Sequence, residues 1–492
     1  MYSLSLNNSE LDFKTLEKII YKTVCDIACN CLKDVLERLD LMLLAKRDPE
    51  EYRNKGLKKT SVHTVMGTVE YSRRIYESQN ATGQKQYIFL LDKYLKNERI
   101  GRVSSNLAEK IVERVLEEPY RKTAQAVESL TNKGLSHTAV WNVVQAIGEK
   151  LDAREKQIVG NYQQGKPNGE RSVKVLFQEA DGIWLSMQGK DRPRKGKSKK
   201  KELKLAVNYE GWKKRKGQKE GYVVHNKTVC GGFYGSREFK ELWDATVADN
   251  YNTDEIEVRI FNGDGASWIK VGLGEEGSHF QLDPFHISQA IIKNVPDKKQ
   301  ASKLKGFFRE GEIDKGFDYL TEMLIQNNKD QDQTKKLEDL YNYLSRNHEG
   351  LIPYHLRGID LPKPPEGLEY RTLGTMEHNV CDIVALRMKG RKMSWSIKGA
   401  GHLAKLLAAK ASGTLYTNLD RLLKGTVSEE KLKEVIEVVL LSAAEVNKKP
   451  RESKFYKIQE SPVPFTGKAL TEGRKAIQQL VGNRIASELV YR

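Results

Sequence analysis

The sequence is poor in cysteine and has no long apolar run. Five cysteines in 492 residues cannot form the disulfide framework of a small secreted protein, and they fit a reducing compartment. The longest apolar runs, such as Leu41–Ala45 and Val438–Leu441, fall far short of the roughly 18 residues that a membrane-spanning helix needs. Residues 1–8 lack the basic flank and apolar core of a signal peptide. The sequence therefore predicts a cytoplasmic protein with no membrane partner.

Positive charge is in excess. The 83 Lys and Arg residues outnumber the 66 Asp and Glu residues, for a net charge of +17, which is typical of proteins that bind polyanions. Two basic runs flank the apolar segment Leu203–Val207, and this predicts a basic hairpin laid on a phosphate backbone. A basic protein with solvated loops and no polyanion partner is the alternative. The candidate phosphate contacts are Lys197, Lys199, Lys200, Lys201, Lys213, Lys214 and Arg215.

The first hundred residues predict a long helix followed by a small antiparallel unit packed on it. Apolar residues recur at three- and four-residue steps from 9 to 46, which is a helical period. Between 60 and 78 the period becomes two, with a turn near Met66-Gly67, as in a β-hairpin. A further strand is expected at Tyr87–Leu91. We treat 1–100 as the N-terminal region.

Residues 101–165 predict a helix-turn-helix domain with a linker. Three helices are expected between 106 and 150, and a short glycine turn separates the second from the third, as in the DNA-binding motif. A polar linker is expected at 150–170. An ordinary helical hairpin is the alternative. In the DNA-binding interpretation, the residues that face base edges from the third helix are His137, Thr138, Asn142 and Gln145.

Residues 166–425 alternate strands and helices. Strands are expected at 173–187, broken at Asp181-Gly182, and at 202–209, 222–229, 255–261 and 279–282. A helix at 237–249 precedes the fourth strand, and a charged, helix-rich insertion covers about 287–370. This is the element order of an RNase H-like α/β catalytic domain. With a helical C-terminal region at 426–492, the sequence predicts a multidomain α+β protein.

Two acidic residues follow apolar strand segments. Asp181 and Asp264 each precede a glycine, which lets the backbone bend away from an open carboxylate. Asp-Gly is also a common hairpin turn, so either residue alone favours a turn. In an RNase H-like sheet the first and fourth strands are neighbours, so both carboxylates would meet and favour a cation such as Mg²⁺. A two-metal site needs a third acid, and Glu377, Asp382 and Glu369 are candidates by composition.

An ordered set of motifs extends over most of the chain. The motifs are EADGIW at 179–184, GDGASWIK at 263–270, LDPFH at 282–286, MEH at 376–378, RMKGRKMSWS at 387–396 and TVMGTVEYSRR at 64–74. With this set the chain resembles the DDE transposases of bacterial insertion sequences. More narrowly, it is similar to the ISLre-type family, formerly an uncharacterised protein family and distantly similar to Mutator-like transposases. The resemblance covers about residues 60–410, and the set is specific although no single motif is.

The resemblance implies a catalytic and metal-binding triad of Asp181, Asp264 and Glu377, which would hold two Mg²⁺ ions, with Mn²⁺ as a substitute. Asp283 and His286 resemble an auxiliary acid–histidine pair of related transposases, and Asp283 is the rival of Asp264 as second ligand. A helical insertion, known in those relatives, would fill the long gap between Asp264 and Glu377.

The resemblance also implies the reaction and its partners. The protein would bind and nick the ends of an insertion sequence and join the 3′-OH to target DNA by in-line phosphoryl transfer. It would act as a homo-oligomer on double-stranded DNA in the bacterial nucleoid. A catalytically silent, transposon-derived DNA-binding protein and an RNase H-like nuclease that cuts without joining are the alternatives.

Overall fold

The structure is a computed structural model of a mixed α+β chain. It describes residues 12–80, 82–95, 100–131, 134–167, 169–194, 198–215, 217, 221–270, 276–390 and 392–423. The chain divides into two compact units, one of residues 1–115, 119–143 and 423–492 and one of residues 116–118 and 144–422. The predicted C-terminal region 426–492 and the side chain of Lys197 therefore lie outside the described residues.

The first unit begins with a helix packed on a three-stranded antiparallel sheet. Its elements are α1 (Phe13–Lys46), β1 (Arg53–Thr64), β2 (Gly67–Gln79), β3 (Lys85–Ile88) and α2 (Leu90–Tyr94). The hairpin turn lies between Thr64 and Gly67, which are paired across the strands, as predicted. Leu36 and Leu39 of α1 share an apolar core with Val69 of β2. The alternating pattern on β2 therefore buries one face of the sheet against the helix.

Three helices follow, and the third is much longer than predicted. They are α3 (Ser105–Val115), α4 (Tyr120–Thr131) and α5 (His137–Gln163). The predicted linker from residue 150 is wrong as far as Gln163, because α5 continues to that residue. Its apolar stripe extends through Ile147 and Leu151, which are buried, beneath a polar outer face. The division between the two units falls within α5, so residues 101–165 are not a separate unit.

The second unit is built on a five-stranded sheet. Its elements in chain order are β4 (Val175–Ser186), β5 (Lys200–Tyr209), β6 (Trp212–Lys214), β7 (Tyr222–Val224), β8 (Thr228–Gly232), α6 (Ser236–Asn250), β9 (Val258–Gly263), α7 (Ser267–Lys270) and β10 (Ser278–Leu282). The strand order is β10-β9-β4-β5-β8. Strands β10 and β4 run parallel to β9, whereas β5 is antiparallel to β4 and β8 to β5.

The third strand of this sheet differs from the prediction. The expected third strand at 222–229 is split into β7, which pairs with β6 in a separate ribbon, and β8, which joins the sheet. Strand β4 is central, and all its residues from Val175 to Asp181 are buried, as expected for a strand that is covered on both faces of the sheet. Trp243 of α6 packs against Phe261 of β9 and helps cover one face.

Helices occupy the rest of the second unit. The predicted insertion contains α8 (Pro284–Asn294), α9 (Lys298–Arg309), α10 (Ile313–Gln326), α11 (Gln331–Arg346) and α12 (His348–Leu351). After a connector come α13 (Met376–Val380), a π-helical turn at Cys381–Ala385, α14 (Leu386–Met388), α15 (Ile397–Ala411) and α16 (Leu415–Leu423). No helix in the described part of the chain has both the length and the apolarity to cross a bilayer.

A buried polar network joins α5 to α15. Lys405 of α15 lies 2.8 Å from the Asp152 carboxylate and also bonds Glu155. His402 is 3% exposed, and its Nε2 lies 3.1 Å from Asp152. Burial lowers the pKa of the Lys405 ammonium, but Glu155 and the neighbouring polar groups outweigh it and raise the pKa. Removing this buried cation would leave the partly buried Asp152 and Glu155 carboxylates without their partner, so the network stabilises the contact between the two helices.

Candidate active site

Asp181 lies inside a strand rather than at its end. Strand β4 continues without a break to Ser186, and Asp181 pairs with Leu205 of β5. The predicted interruption at Asp181-Gly182 is therefore wrong, because antiparallel pairing with β5 carries β4 past both residues. The Asp181 side chain is nearly buried, and its Oδ1 accepts a 2.7 Å hydrogen bond from the Gly182 N–H. The carboxylate is thus held by a rigid central strand.

Asp264 and Asp283 follow the carboxyl ends of two adjacent parallel strands. Gly263 ends β9 and pairs with Leu282, which ends β10. The Asp283 N–H donates to the Gly263 carbonyl at 2.8 Å. Glu179 of β4 pairs with Asn262 of β9, and Asp181 and Asp264 each follow two residues later, Asp181 on β4 and Asp264 just past the end of β9. The order of the strands puts Asp283 one strand farther from Asp181 than Asp264, as expected.

Glycines allow close approach at this edge of the sheet. Gly265 has a φ of +85°, and a Cβ there would meet the Asn347 side chain at 2.3 Å. A Cβ on Gly182 would meet the Glu202 carboxylate at 2.1 Å. The side chain of Glu202, which pairs with Trp184 across β4 and β5, therefore lies against Gly182. Sequence reasoning missed Glu202, because only the pairing of β5 with β4 reveals its position.

The acids share a negative field. Burial raises the pKa of the Glu202 carboxyl, and the Asp264 and Asp181 carboxylates raise it further, although Lys204 acts in the opposite direction. Such mutual repulsion among carboxyl groups is relieved by a bound cation. Both carboxylates therefore contribute to the negative potential at Glu202.

His286 is the histidine neighbour of this group. Its Nε2 lies 3.8 Å from Asp181 Oδ2. Burial alone would lower the pKa of the His286 imidazole, but the Asp181 carboxylate, followed by Asp283 and Asp264, outweighs burial and raises it. The side-chain contact of His286 is therefore with Asp181, whereas the motif resemblance pairs it with Asp283.

Asp283 is buried and caps a helix. Its side chain is 1% exposed and accepts a 2.9 Å hydrogen bond from the Phe285 N–H at the N-terminus of α8. Burial raises the pKa of its carboxyl to about 6, against that hydrogen bond, and the Glu179 and Asp181 carboxylates contribute to the increase. Its position thus has a structural explanation, since Asp is a favoured N-cap residue.

Glu377 is exposed in the first turn of α13. In the described part of the chain, no three acidic, histidine or cysteine side chains are close enough to hold a metal ion together as they stand. Asp264, half-buried, uses Oδ1 to accept a 2.8 Å hydrogen bond from the Ala266 N–H. The acids therefore share a region of the fold without forming an assembled cage.

A buried carboxylate lies beneath the acids. Glu179 is fully buried and receives hydrogen bonds from Tyr209 of β5, from Asn262 of β9 at 2.7 Å and from Thr375 at 2.5 Å. Thr375 directly precedes α13. Sequence reasoning missed this cluster, although Glu179 stands two residues before Asp181 and so shares its side of the strand.

The two basic runs lie at opposite ends of β5. Lys199, Lys200 and Lys201 are exposed at its start, where Lys200 pairs with Ser186 beyond the acids. Lys213 and Lys214 are exposed on β6, and exposed Arg215 follows. Nine residue steps of about 3.3 Å separate the ends of β5 by roughly 30 Å. The expectation of one basic hairpin is therefore wrong, because β5 is a core strand between the two runs.

Three of the four predicted base-contacting residues are exposed. His137 and Thr138 open α5, and Asn142 lies one turn further along the same helix. Gln145 is 6% exposed, and its Oε1 lies 2.9 Å from Nδ1 of the buried His402. The expectation that Gln145 points outward is wrong, because the helix packs that face against α15.

Comparison with known proteins identifies the family. The model of the family described as "Uncharacterised protein family (UPF0236)" matches residues 6–422. The chain belongs to this uncharacterised family. One UPF0236 protein of Caldanaerobacter subterraneus subsp. tengcongensis is 25% identical over 393 residues, covering 78% of this chain and 74% of the relative, and its name joins eleven locus designations. A UPF0236 protein "in vanSb 3'region" of Streptococcus gallolyticus is 25% identical over 414 residues, covering 81% and 83%.

Proposed function

We propose that this UPF0236 protein is a DNA transposase of the DDE type. The observation that carries the proposal is the sheet order β10-β9-β4-β5-β8, with β5 and β8 antiparallel and β9 and β10 parallel to β4. This order supports an RNase H-like catalytic domain. In this order Asp181 lies on β4, next to the strand β9 that Asp264 directly follows, and this proximity supports a shared cation.

The residues at this edge have the chemistry of divalent-cation ligands. They offer carboxylate oxygens, the ligands that Mg²⁺ prefers, and the Asp264 and Asp181 carboxylates both raise the pKa of the Glu202 carboxyl. Asp181, Asp264 and Glu377 would hold the ions. When bound, two Mg²⁺ or Mn²⁺ ions supply an activated oxygen nucleophile and neutralise charge on the transferring phosphoryl group. His286 orients Asp181 by the contact between their side chains.

Asp283 is the weaker candidate for second ligand. Its side chain is buried and caps α8. Asp283 follows β10, the strand that lies farther from β4 than β9 does. Asp264 is half-buried at the neighbouring strand end. We therefore assign the second position to Asp264 and treat Asp283 as an auxiliary residue that supports the edge of the sheet.

Other residues provide the DNA contacts of the proposed reaction. The run Lys199–Lys201 extends from the acid-bearing end of the sheet and can neutralise phosphates of the strand that is cut. Helices α4 and α5 are a candidate helix-turn-helix, with exposed His137, Thr138 and Asn142 on α5. We propose that the protein acts on double-stranded DNA as a homo-oligomer. A gene that multiplies within a genome would leave several copies, and the name of one relative joins eleven locus designations.

The test is a joining assay on DNA that flanks the gene. Pre-cut duplexes from both flanks are incubated with the protein, Mg²⁺ and a target plasmid. The proposal predicts joining of the 3′ ends to the plasmid. Cutting without joining would favour an RNase H-like nuclease, and binding alone would favour a silent DNA-binding protein. Either result would overturn the transposase assignment.

A further inference from the structure

We infer that Glu179 is a positioning residue that ties the three acid-bearing elements together beneath the site. This inference rests on the proposed function. The Glu179 carboxylate is fully buried on β4, and donors from three other parts of the unit converge on it: Tyr209, Asn262 and Thr375. A buried carboxylate is tolerated only when hydrogen bonds satisfy it. The cluster is therefore specific rather than incidental.

The spacing along the chain is the same on each element. Glu179 stands two residues before Asp181, Asn262 two residues before Asp264, and Thr375 two residues before Glu377. Side chains two apart on a strand share one face. One carboxylate thus bonds the residue two before Asp264 and the residue two before Glu377, and Glu179 itself lies two before Asp181 on the same face of β4. No other described carboxylate receives hydrogen bonds from both Asn262 and Thr375.

The hydrogen bond from Thr375 to Glu179 does not cap α13. Thr375 occupies the N-cap position of α13, where threonine commonly accepts a hydrogen bond from the first turn. Its side chain makes no such capping bond, and its hydroxyl donates to Glu179 instead. The hydroxyl therefore attaches the start of the Glu377 helix to the Asp181 strand.

The consequence concerns ion affinity. Glu377 is exposed. The position of its carboxylate relative to Asp181 therefore depends on how firmly the rest of the protein holds the first turn of α13. Residues that orient metal ligands without touching the ion typically change affinity by about 10–100-fold when they are removed. We expect loss of the Thr375 hydroxyl to weaken ion binding by about 10-fold or more, while Asp181 and Asp264 keep their places on the sheet.

The experiment measures Mn²⁺ binding to the full chain by calorimetry and by electron paramagnetic resonance, without DNA. Thr375→Val removes the hydroxyl at nearly constant shape, and Thr375→Ser retains it. Gln178→Met is the matched control, because Gln178 is buried on the same strand and bonds Asn208 on the opposite face. We expect about 10-fold weaker binding for Thr375→Val, and wild-type binding for Thr375→Ser and for the control.

The outcomes separate the two proposals. Equal Mn²⁺ affinity of the wild type and Asp181→Asn would overturn the proposed metal site. A loss of binding in Asp181→Asn together with wild-type affinity in Thr375→Val would overturn the positioning role alone. Glu179→Gln provides a second measurement. The amide replaces one carboxylate oxygen by an NH₂ group, which cannot accept a hydrogen bond from Tyr209, Asn262 or Thr375. Wild-type affinity in a folded Glu179→Gln protein would also contradict the inference.

Discussion

Replacing Asp283 by asparagine should stabilise the folded protein at neutral pH. An aspartate in an unfolded chain titrates near pH 4, whereas burial raises the pKa of the Asp283 carboxyl to about 6 in the folded protein. Between these pH values the folded state keeps a proton that the unfolded state has lost, so stability falls as the pH rises and remains lowered above pH 6. Two pKa units correspond to about 3 kcal/mol.

The asparagine variant lacks this penalty and can still cap α8, because Asn and Asp are comparable N-cap residues. The free energy of unfolding is measured by urea denaturation in EDTA from pH 4 to pH 8. The variant should match the wild type at the acidic end and exceed it by up to about 3 kcal/mol above pH 7. Asp297→Asn is the matched control, because Asp297 caps α9 in the same way but is exposed. Parallel curves for Asp283→Asn and the wild type would refute the reasoning.

Three further predictions concern other parts of the molecule. Lys405→Met leaves two carboxylates without their partner and should lower the free energy of unfolding by about 3–5 kcal/mol. Lys410→Met removes an exposed pair with Glu117 and should lower it by under about 1 kcal/mol. Urea denaturation measures both losses, and equal losses would contradict the structural role of Lys405. Changing Lys200 and Lys201 to Gln should flatten the dependence of log DNA affinity on log salt, and an unchanged slope would mean a solvated run. Asn142→Ala should reduce the preference for end DNA over scrambled DNA by about 1–3 kcal/mol, and an unaltered ratio in competitive binding would remove α5 from recognition.

The sequence predicts those helices and strands well whose signal lies in neighbouring residues. The hairpin of β1 and β2 and the end of β9 before Asp264 follow from two-residue periodicity and from glycine at the turns. The break expected at Asp181-Gly182 fails because β5 pairs along the whole of β4, and an Asp-Gly pair is also compatible with a strand that needs room for Glu202. The ambiguity is resolved only by a partner strand some twenty residues away.

Contacts between distant segments account for the other errors. Gln145 resembles an outward polar residue of a recognition helix, but His402, more than 250 residues later, packs against it. The polar stretch after residue 150 resembles a linker because its buried partners, including Lys405, are equally distant. The cluster around Glu179 has a weak local signal, namely a buried acid two residues before Asp181. Its meaning depends on Thr375, which follows almost 200 residues later.

The most direct test of the account is cleavage of a supercoiled plasmid that carries the gene with its flanking DNA. The wild type with Mg²⁺ should cut at the boundaries of the element, and EDTA should abolish cutting. Asp181→Asn, Asp264→Asn and Glu377→Gln should each lose cleavage but retain the fold and DNA binding, because a neutral amide keeps the shape without holding the cations. Normal cleavage by Asp264→Asn with none by Asp283→Asn would show that the second ligand is wrong. Cleavage by all three variants at the wild-type rate would contradict the proposed active site.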